Sequence, residues 1–249
     1  MRKFGLIGYP LGHSFSRKYF QEKFERENLS DCTYDNYPVT SLGQLPDLLH
    51  YYGIEGLNVT IPYKTAVIRF LDEIDPEARA VGAVNVLKIK NTVTGKRVIG
   101  FNSDITGIRD TLEPVIGKKK ISALVLGTGG SSKAVCHVLE SAGIKYMLVS
   151  RSAKEGCLTY PELSADILEG WKLIINTTPL GMYPDIETKP DIPYDLLGRQ
   201  HILFDLVYNP EITAFLQMGT DRGCTTLSGL KMLYSQAEKS WEIWNNDSL

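Results

Sequence analysis

The stretch ISALVLGTGGSSKAVCHVLESAGIKYMLVS, residues 121 to 150, limits most strongly how this chain can fold. A continuous apolar run enters a glycine turn, an amphipathic segment follows to Gly143, and a second apolar run starts at once. Strand, turn, helix and strand within about 30 residues make one βαβ unit, with parallel strands and a helix lying on the sheet. In GTGGSS, Gly127 and Gly129 fit the opening of a dinucleotide-binding turn, and Gly130 and Ser131 join them as candidate cofactor-binding residues. Glycines let the backbone approach a pyrophosphate, whose charge then meets the amides of the helix N-terminus. Ser132, still small, stands where a third glycine is usual. Similar tight turns occur in α/β proteins that bind no nucleotide, so the flanking order carries the reading.

The cofactor's identity turns on the end of the second strand, where NAD-specific turns of this type place an Asp or Glu for the ribose 2′-hydroxyl. This chain has Ser150 and Arg151 there. A guanidinium suits phosphate oxygens that a carboxylate would repel, so Arg151 points to NADP. The alternative is an arginine that ends a strand in solvent.

Around this unit, apolar runs alternate with amphipathic ones, the pattern of an α/β protein with a mainly parallel sheet. Strands are expected at 3–8, 33–39, 55–61, 83–90 and 97–101, and helices at 15–28 and 41–52. Residues 91–96 form the polar turn of a hairpin, and a helix runs from Asp104 to about Glu113. Further strands lie in KLIINTT and HILFDLVY. Two successive α/β series place a boundary near residue 103, giving domains 1–103 and 104–229. A terminal helix, 230–249, carries Leu230, Leu233, Tyr234, Ala237, Trp241 and Trp244 on one stripe and packs back on the first domain. At 249 residues, the chain is near the size at which one core gives way to two.

Bulk properties exclude several classes. The sequence is 43% hydrophobic and 22% charged with a formal net charge of -2, which leaves no electrostatic footprint for nucleic acid or acidic membranes. The one basic run, Lys118 to Lys120, reads as a solvated turn before a strand. No run approaches the ~20 apolar residues of a membrane span and no signal peptide is evident, so a cytoplasmic location is expected. The four cysteines and four histidines have no metal-binding spacing; no metal site is expected.

In GLNVTIPYK, Asn58 and Thr60 alternate with Val59 along a strand and share a face, Pro62 stops the strand, and Lys64 follows. Ligands of open α/β sheets bind outside the carboxyl ends of the strands, where these residues fall.

Eight strings, GYPLGHSFS, LNVTIPYK, GAVNV, GFNSD, LGTGGSSKA, INTTPLGM, DLVYNP and GLKMLYSQA, occur in an order and at separations that resemble the shikimate dehydrogenase family. They span residues 8 to 237, almost the whole chain. The resemblance implies an N-terminal α/β substrate domain, a Rossmann-type NADP domain, a cleft between them, and reversible NADPH-dependent reduction of 3-dehydroshikimate to shikimate in aromatic amino-acid biosynthesis. By the same resemblance, Ser14 and Ser16 bind the substrate carboxylate, Asn58, Thr60 and Asn85 its ring hydroxyls, and Lys64 and Asp104 flank the reacting hydroxyl. Tyr208 and Gln236 reach the substrate, while Asn176, Thr177, Leu206 and Gly229 lie on the nicotinamide side. Ser16 also fits the N-cap of the helix after it, and Asn176 and Thr177 also fit as satisfied turn residues. The expected partner is a small-molecule substrate, in a monomer or homodimer.

The chain departs from the family pattern at Val86, Ser103 and Arg17, where AVNT, GxNTD and S-x-S-P are usual. Only SAKEGCLTYPELSADILEGW separates Arg151 from the next strand, so a helix there is expected to be missing or reduced to a turn, with Lys154 a second candidate phosphate contact. Two alternatives stand beside this reading. One is a quinate/shikimate dehydrogenase-like paralogue acting on another cyclic hydroxy acid; the other is a non-catalytic nucleotide-sensing module, which would have no need of Lys64 and Asp104 together.

Overall fold

The computed structural model describes residues 1–11, 15–93, 95–117 and 119–246. The chain divides into two compact units, residues 1–103 with 237–249, and residues 104–236. Each is built on a six-stranded sheet.

In the first unit, β1 (Arg2–Gly8) passes through α1 (Phe15–Arg26) to β2 (Cys32–Pro38), and α2 (Leu45–Tyr52) leads to β3 (Ile54–Val59). β4 (Glu73–Ile74), α3 (Pro76–Val81) and the hairpin β5 (Val86–Thr92) to β6 (Gly95–Phe101) complete it. The sheet order is β2-β1-β3-β5-β6-β4. β1 pairs in parallel with both β2 and β3, whereas β5 runs antiparallel to β3 and β6. Two antiparallel steps restore direction, so β6 ends at the same edge as β3.

Strand alternation explains why both faces are covered. Phe4 and Leu6 of β1 join a core with Tyr19, Phe20 and Phe24 of α1 and with Trp244, while Ile7 faces the core of Leu45, Leu48 and Leu49 from α2. The hairpin pairs as far as Thr92 opposite Gly95, so the turn expected over 91–96 is shorter than the sequence suggested. Polar residues there extend the ladder instead of leaving it, because backbone pairing does not depend on an apolar side chain at the exposed end.

The second unit contains α4 (Asp104–Ile116), β7 (Ala123–Leu126), α5 (Gly130–Ser141), β8 (Tyr146–Ser150), β9 (Cys157–Thr159), α6 (Ala165–Gly170), β10 (Leu173–Asn176), β11 (Ile202–Asp205), α7 (Ala214–Asp221) and β12 (Thr225–Leu227). Every pairing among its described strands is parallel, and the order β9-β8-β7-β10-β11-β12 reverses direction between β7 and β10. Buried Leu124, Leu126, Ile174, Leu203 and Phe215 share one core cluster, as continuous apolar runs in a doubly covered sheet require. No helix separates β8 from β9; residues 151–156 connect them directly, and α6 has only six residues. The shortened segment therefore keeps its strand and loses the helix before it.

The last helix, α8 (Gly229–Asn245), begins in the second unit and ends in the first. Its buried side includes Met232, Leu233, Ala237, Ser240, Ile243 and Trp244, whereas Tyr234, placed on the stripe by the sequence, is 42% exposed. Trp244 stacks on Phe4 at 4.9 Å between ring centroids, and its indole N–H donates to the Leu87 carbonyl at 3.0 Å. Buried Lys88 donates to the Ile243 carbonyl at 3.0 Å and to that of Asn246, meeting acceptors left at the helix end. No described helix is long and apolar enough to cross a membrane.

Candidate active site

In the first unit the candidate residues collect at the carboxyl edge of the sheet. The direction of winding changes between β1 and β3, and there the Thr60 N–H donates to the Ile7 carbonyl at 2.9 Å while the Tyr9 N–H donates to that of Ile61 at 3.2 Å. Gly8 is required at this crossing, because a Cβ on it would strike the Thr60 methyl. β3 itself ends at Val59, so Thr60 stands just past it and Lys64 two residues beyond Pro62. The Lys64 carbonyl accepts from the Val84 N–H at 2.7 Å, which ties the lysine loop to the turn carrying Asn85. Lys64 is half-buried.

Asn58 and Asn85 are almost wholly buried, at 5% and 3% exposure. The Asn58 Oδ1 accepts from the Tyr34 hydroxyl at 2.8 Å; its Nδ2 donates to the Ser240 Oγ at 2.9 Å and to the Asn85 carbonyl at 3.3 Å. The Asn85 Oδ1 accepts from the Ser103 N–H at 2.7 Å, and its Nδ2 donates to the Ser103 Oγ at 3.1 Å. Ser103, at a position where the family usually has threonine, is thus a working member of the network.

Ser14 lies outside the described residues. Ser16 is the second residue of α1, half-buried and inside the helix. Both the extended loop assumed for it and its alternative role as N-cap are corrected: the helix has already begun at Phe15. Arg17, where proline is usual, pairs with Asp35 at 3.5 Å.

In the second unit the glycine turn sits where the order of strands reverses, the expected ligand edge of a doubly wound sheet. Gly127 has φ +111°, and a Cβ there would come within 2.7 Å of the Thr177 Oγ1. Its lack of a side chain lets the turns after β7 and β10 approach closely. The Thr177 hydroxyl donates to the Leu126 carbonyl at 2.7 Å, fastening the same two turns. At Gly129 a Cβ would meet nothing within 4 Å, so the space beside it is open. Gly130 and Ser131 are the first two residues of that helix, with amide hydrogens that have no partner one turn earlier. An open glycine cradle before a 12-residue helix fits a pyrophosphate.

Arg151 is exposed directly after β8, and Lys154 donates from its ammonium to the Thr128 hydroxyl within the glycine turn at 3.1 Å. Removal of the connecting helix thus leaves two cations on one short loop. Asn176 contributes no outward-facing polar group. Its Nδ2 donates to Asp205 at 2.9 Å and to the Leu180 carbonyl at 3.4 Å, and its Oδ1 accepts from the Thr178 N–H and hydroxyl at 3.0 and 2.7 Å. Its side chain matches the satisfied-turn alternative.

Leu206 continues past β11, its N–H donating to the Asn176 carbonyl at 3.0 Å. Gly229 lies against it: a Cβ at 229 would run into the Leu206 carbonyl. Tyr208 is half-buried, and burial holds its phenol above the usual pKa. Asp104 is buried at the first position of α4, and the Gln236 amide donates to the Leu233 carbonyl of its own helix at 3.0 Å.

Three residues escaped the sequence reading. Asp205, fully buried, accepts from Asn176, from the Val207 N–H at 3.0 Å and from the Thr213 hydroxyl at 2.6 Å. Burial pushes its carboxyl up to about 6, although all three donors act in the opposite direction. A charge ending the apolar run ILF was its visible signal. Ser240 had one too, as a small hydroxyl between Ala237 and Trp244 on the buried side of α8; Tyr34 had none.

A cavity of about 700 Å³ in the second unit has a different character. Arg109, Lys119, Lys120 and Lys145 line it beside Ile121 and Ser122, at the amino ends of β7 and β8 and therefore at the edge away from the glycine turn. α4 and α5 end there, and their carbonyl ends favour cations.

Residues 6–87 match the family model described as the shikimate dehydrogenase substrate binding domain. A shikimate dehydrogenase (NADP(+)) of Methanococcus aeolicus is 36% identical over 258 residues, covering 96% of this chain and 90% of the relative. One from Shouchella clausii is 36% identical over 260 residues, with 98% and 92% covered. The crystal structure of shikimate 5-dehydrogenase from Thermus thermophilus, in complex with NADP(H) and shikimate, superposes with a TM-score of 0.84 at 30% identity, over 98% of this chain and 94% of that one. Likeness that runs through both units at more than one residue in three makes this chain a member of the shikimate dehydrogenase family.

Proposed function

We propose that this chain catalyses the reversible reduction of 3-dehydroshikimate to shikimate with NADPH, in the cytoplasm, as a step towards chorismate and the aromatic amino acids. The single observation that carries this is 36% identity along nearly the whole chain with NADP-dependent shikimate dehydrogenases; the Lys64 loop at the carboxyl edge of the first sheet supplies a proton donor for it. The first unit binds the substrate and the second the cofactor. NADP, when bound, gives or takes the hydride.

Each protein group then has a defined task. Lys64, as an ammonium, donates a proton to the developing alkoxide and stabilises its charge; in the oxidation direction the same nitrogen takes the proton back. Asp104 orients the reacting hydroxyl. Ser14 and Ser16 bind the carboxylate, Asn58, Thr60 and Asn85 the ring hydroxyls, and Tyr208 and Gln236 complete the substrate contacts. Gly127, Gly129, Gly130 and Ser131 receive the pyrophosphate. Arg151, with Lys154, meets the 2′-phosphate, whose oxygens match a guanidinium fork. Thr177, Leu206 and Gly229 shape the nicotinamide side, and Asn176 holds that turn in place from within.

Steady-state oxidation of shikimate and quinate, each with NADP and with NAD, tests the assignment. Shikimate with NADP is the expected best pair; turnover confined to quinate with NAD would overturn it.

A further inference from the structure

We propose that Ser240 and Tyr34 are positioning residues that lock the Asn58 amide, so that Asn58 meets a ligand only as a hydrogen-bond acceptor. This rests on the reading of Asn58 as a substrate contact. A primary amide has two donor hydrogens and an oxygen with two lone pairs. At Asn58 one hydrogen goes to the Asn85 carbonyl and the other to the Ser240 Oγ, while the Tyr34 hydroxyl occupies one lone pair. The carbonyl of Asn85 only accepts, so the atom facing it has to be Nδ2, which fixes the amide's orientation. Among the described residues, one lone pair of Oδ1 is the remaining capacity.

The lock is built from buried parts. Ser240 and Ser103 are 0% exposed and Tyr34 1%. Tyr34 is held by stacking on Phe20, with ring centroids 4.5 Å apart. The hydroxyls of Ser240 and Ser103 lie 3.1 Å apart, and Ser103 bonds the Asn85 side chain through both its N–H and its Oγ. Orientation is thereby shared between both asparagines, and the helix that supplies Ser240 closes the network from the far end of the chain. Buried networks of this kind rigidify when fully satisfied.

A specificity rule follows. A ligand hydroxyl at Asn58 has to donate its own proton, so a carbonyl or ether oxygen in its place would set lone pair against lone pair. Replacing Ser240 by alanine removes the acceptor that holds one Nδ2 hydrogen and lets the amide turn.

Purified wild-type protein, Ser240→Ala, Tyr34→Phe, Asn58→Ala and the double variant Asn58→Ala/Ser240→Ala are compared in shikimate oxidation with NADP. Ser240→Ala and Tyr34→Phe are each expected to raise the KM for shikimate roughly three- to ten-fold, the effect of about one hydrogen bond, with the KM for NADP and kcat changed less than about two-fold. In the Asn58→Ala background, Ser240→Ala should add almost nothing. A full Ser240→Ala effect in that background, or a lowered melting temperature with both KM values unchanged, would overturn the proposal. Side-chain amide exchange of Asn58, followed by NMR, reads the lock without turnover: protection in the wild type should fall roughly ten-fold in Ser240→Ala, and unchanged protection refutes it. Absence of shikimate turnover by the wild-type protein would refute the functional assignment instead, leaving the exchange result to decide the lock.

Discussion

Asp205→Asn removes a buried charge while keeping the shape of the side chain and an oxygen for Asn176 and Val207. The wild-type carboxyl is raised from 3.8 to about 6 by burial, which corresponds to about 3 kcal/mol against the ionised form in the folded protein. A group whose folded pKa lies above its unfolded value adds stability that is fully present below the unfolded pKa and is lost as pH rises through the folded one. The contribution of Asp205 is thus complete below pH ~4 and gone above pH ~7, with about 2 kcal/mol of the change falling between pH 4.5 and 8. The amide of the variant does not titrate, so the unfolding free energies of the two proteins, read from urea titrations, should diverge in the variant's favour by that amount as pH rises. The constant cost of the altered contact with Thr213 cancels in this comparison. Carbon-13 titration of the Asp205 carboxyl provides the direct assay. A midpoint below 5, or a stability difference that is flat with pH, would refute the assignment of burial as the dominant cause.

Lys64→Ala should reduce kcat by ~100-fold or more, the usual contribution of a positioned acid or base, with a smaller change in the KM for shikimate; a large KM effect with kcat intact would make Lys64 a binding residue. Arg151→Ala should raise the KM for NADP about ten-fold, as loss of a charge-assisted phosphate contact implies, and leave that for NAD unchanged; equal effects on both would remove Arg151 from the phosphate site. Gly229→Ala forces a methyl into the Leu206 carbonyl, and urea unfolding should show a loss of about 1–3 kcal/mol, whereas unchanged stability would mean that the chain yields there freely.

Much of this was legible because the signals were periodic or local. The glycine turn fell between β7 and α5 since apolar run, turn and amphipathic run admit only that order, and β1, β2 and β3 began and ended within two residues of their expected limits. β4, with two residues, and β12, with three, are too short to show a period, so they were missed. Thr60 and Lys64 were readable from the strand end, but the partners of Asn58 were not. Tyr34 and Ser240 stand 24 and 182 residues away from it, and no local pattern records a contact at such a distance. Tyr234 was placed wrongly because an apolar-looking position on a helix says nothing about whether a neighbour covers it.

One helix belongs to both units, and this has a consequence for synthesis. The first unit needs residues 237–245, yet the whole of 104–236 is synthesised before them. Domains generally fold as units in the order they are made; here the second unit is complete in sequence before the first. Until α8 arrives, Gly56 has no indole over it, the Leu87 carbonyl lacks its donor and Lys88 has no helix end to cap. A released chain ending at residue 236 should therefore protect the glycine-turn unit from proteolysis while leaving the first unit open to it, although the latter comes first in the sequence.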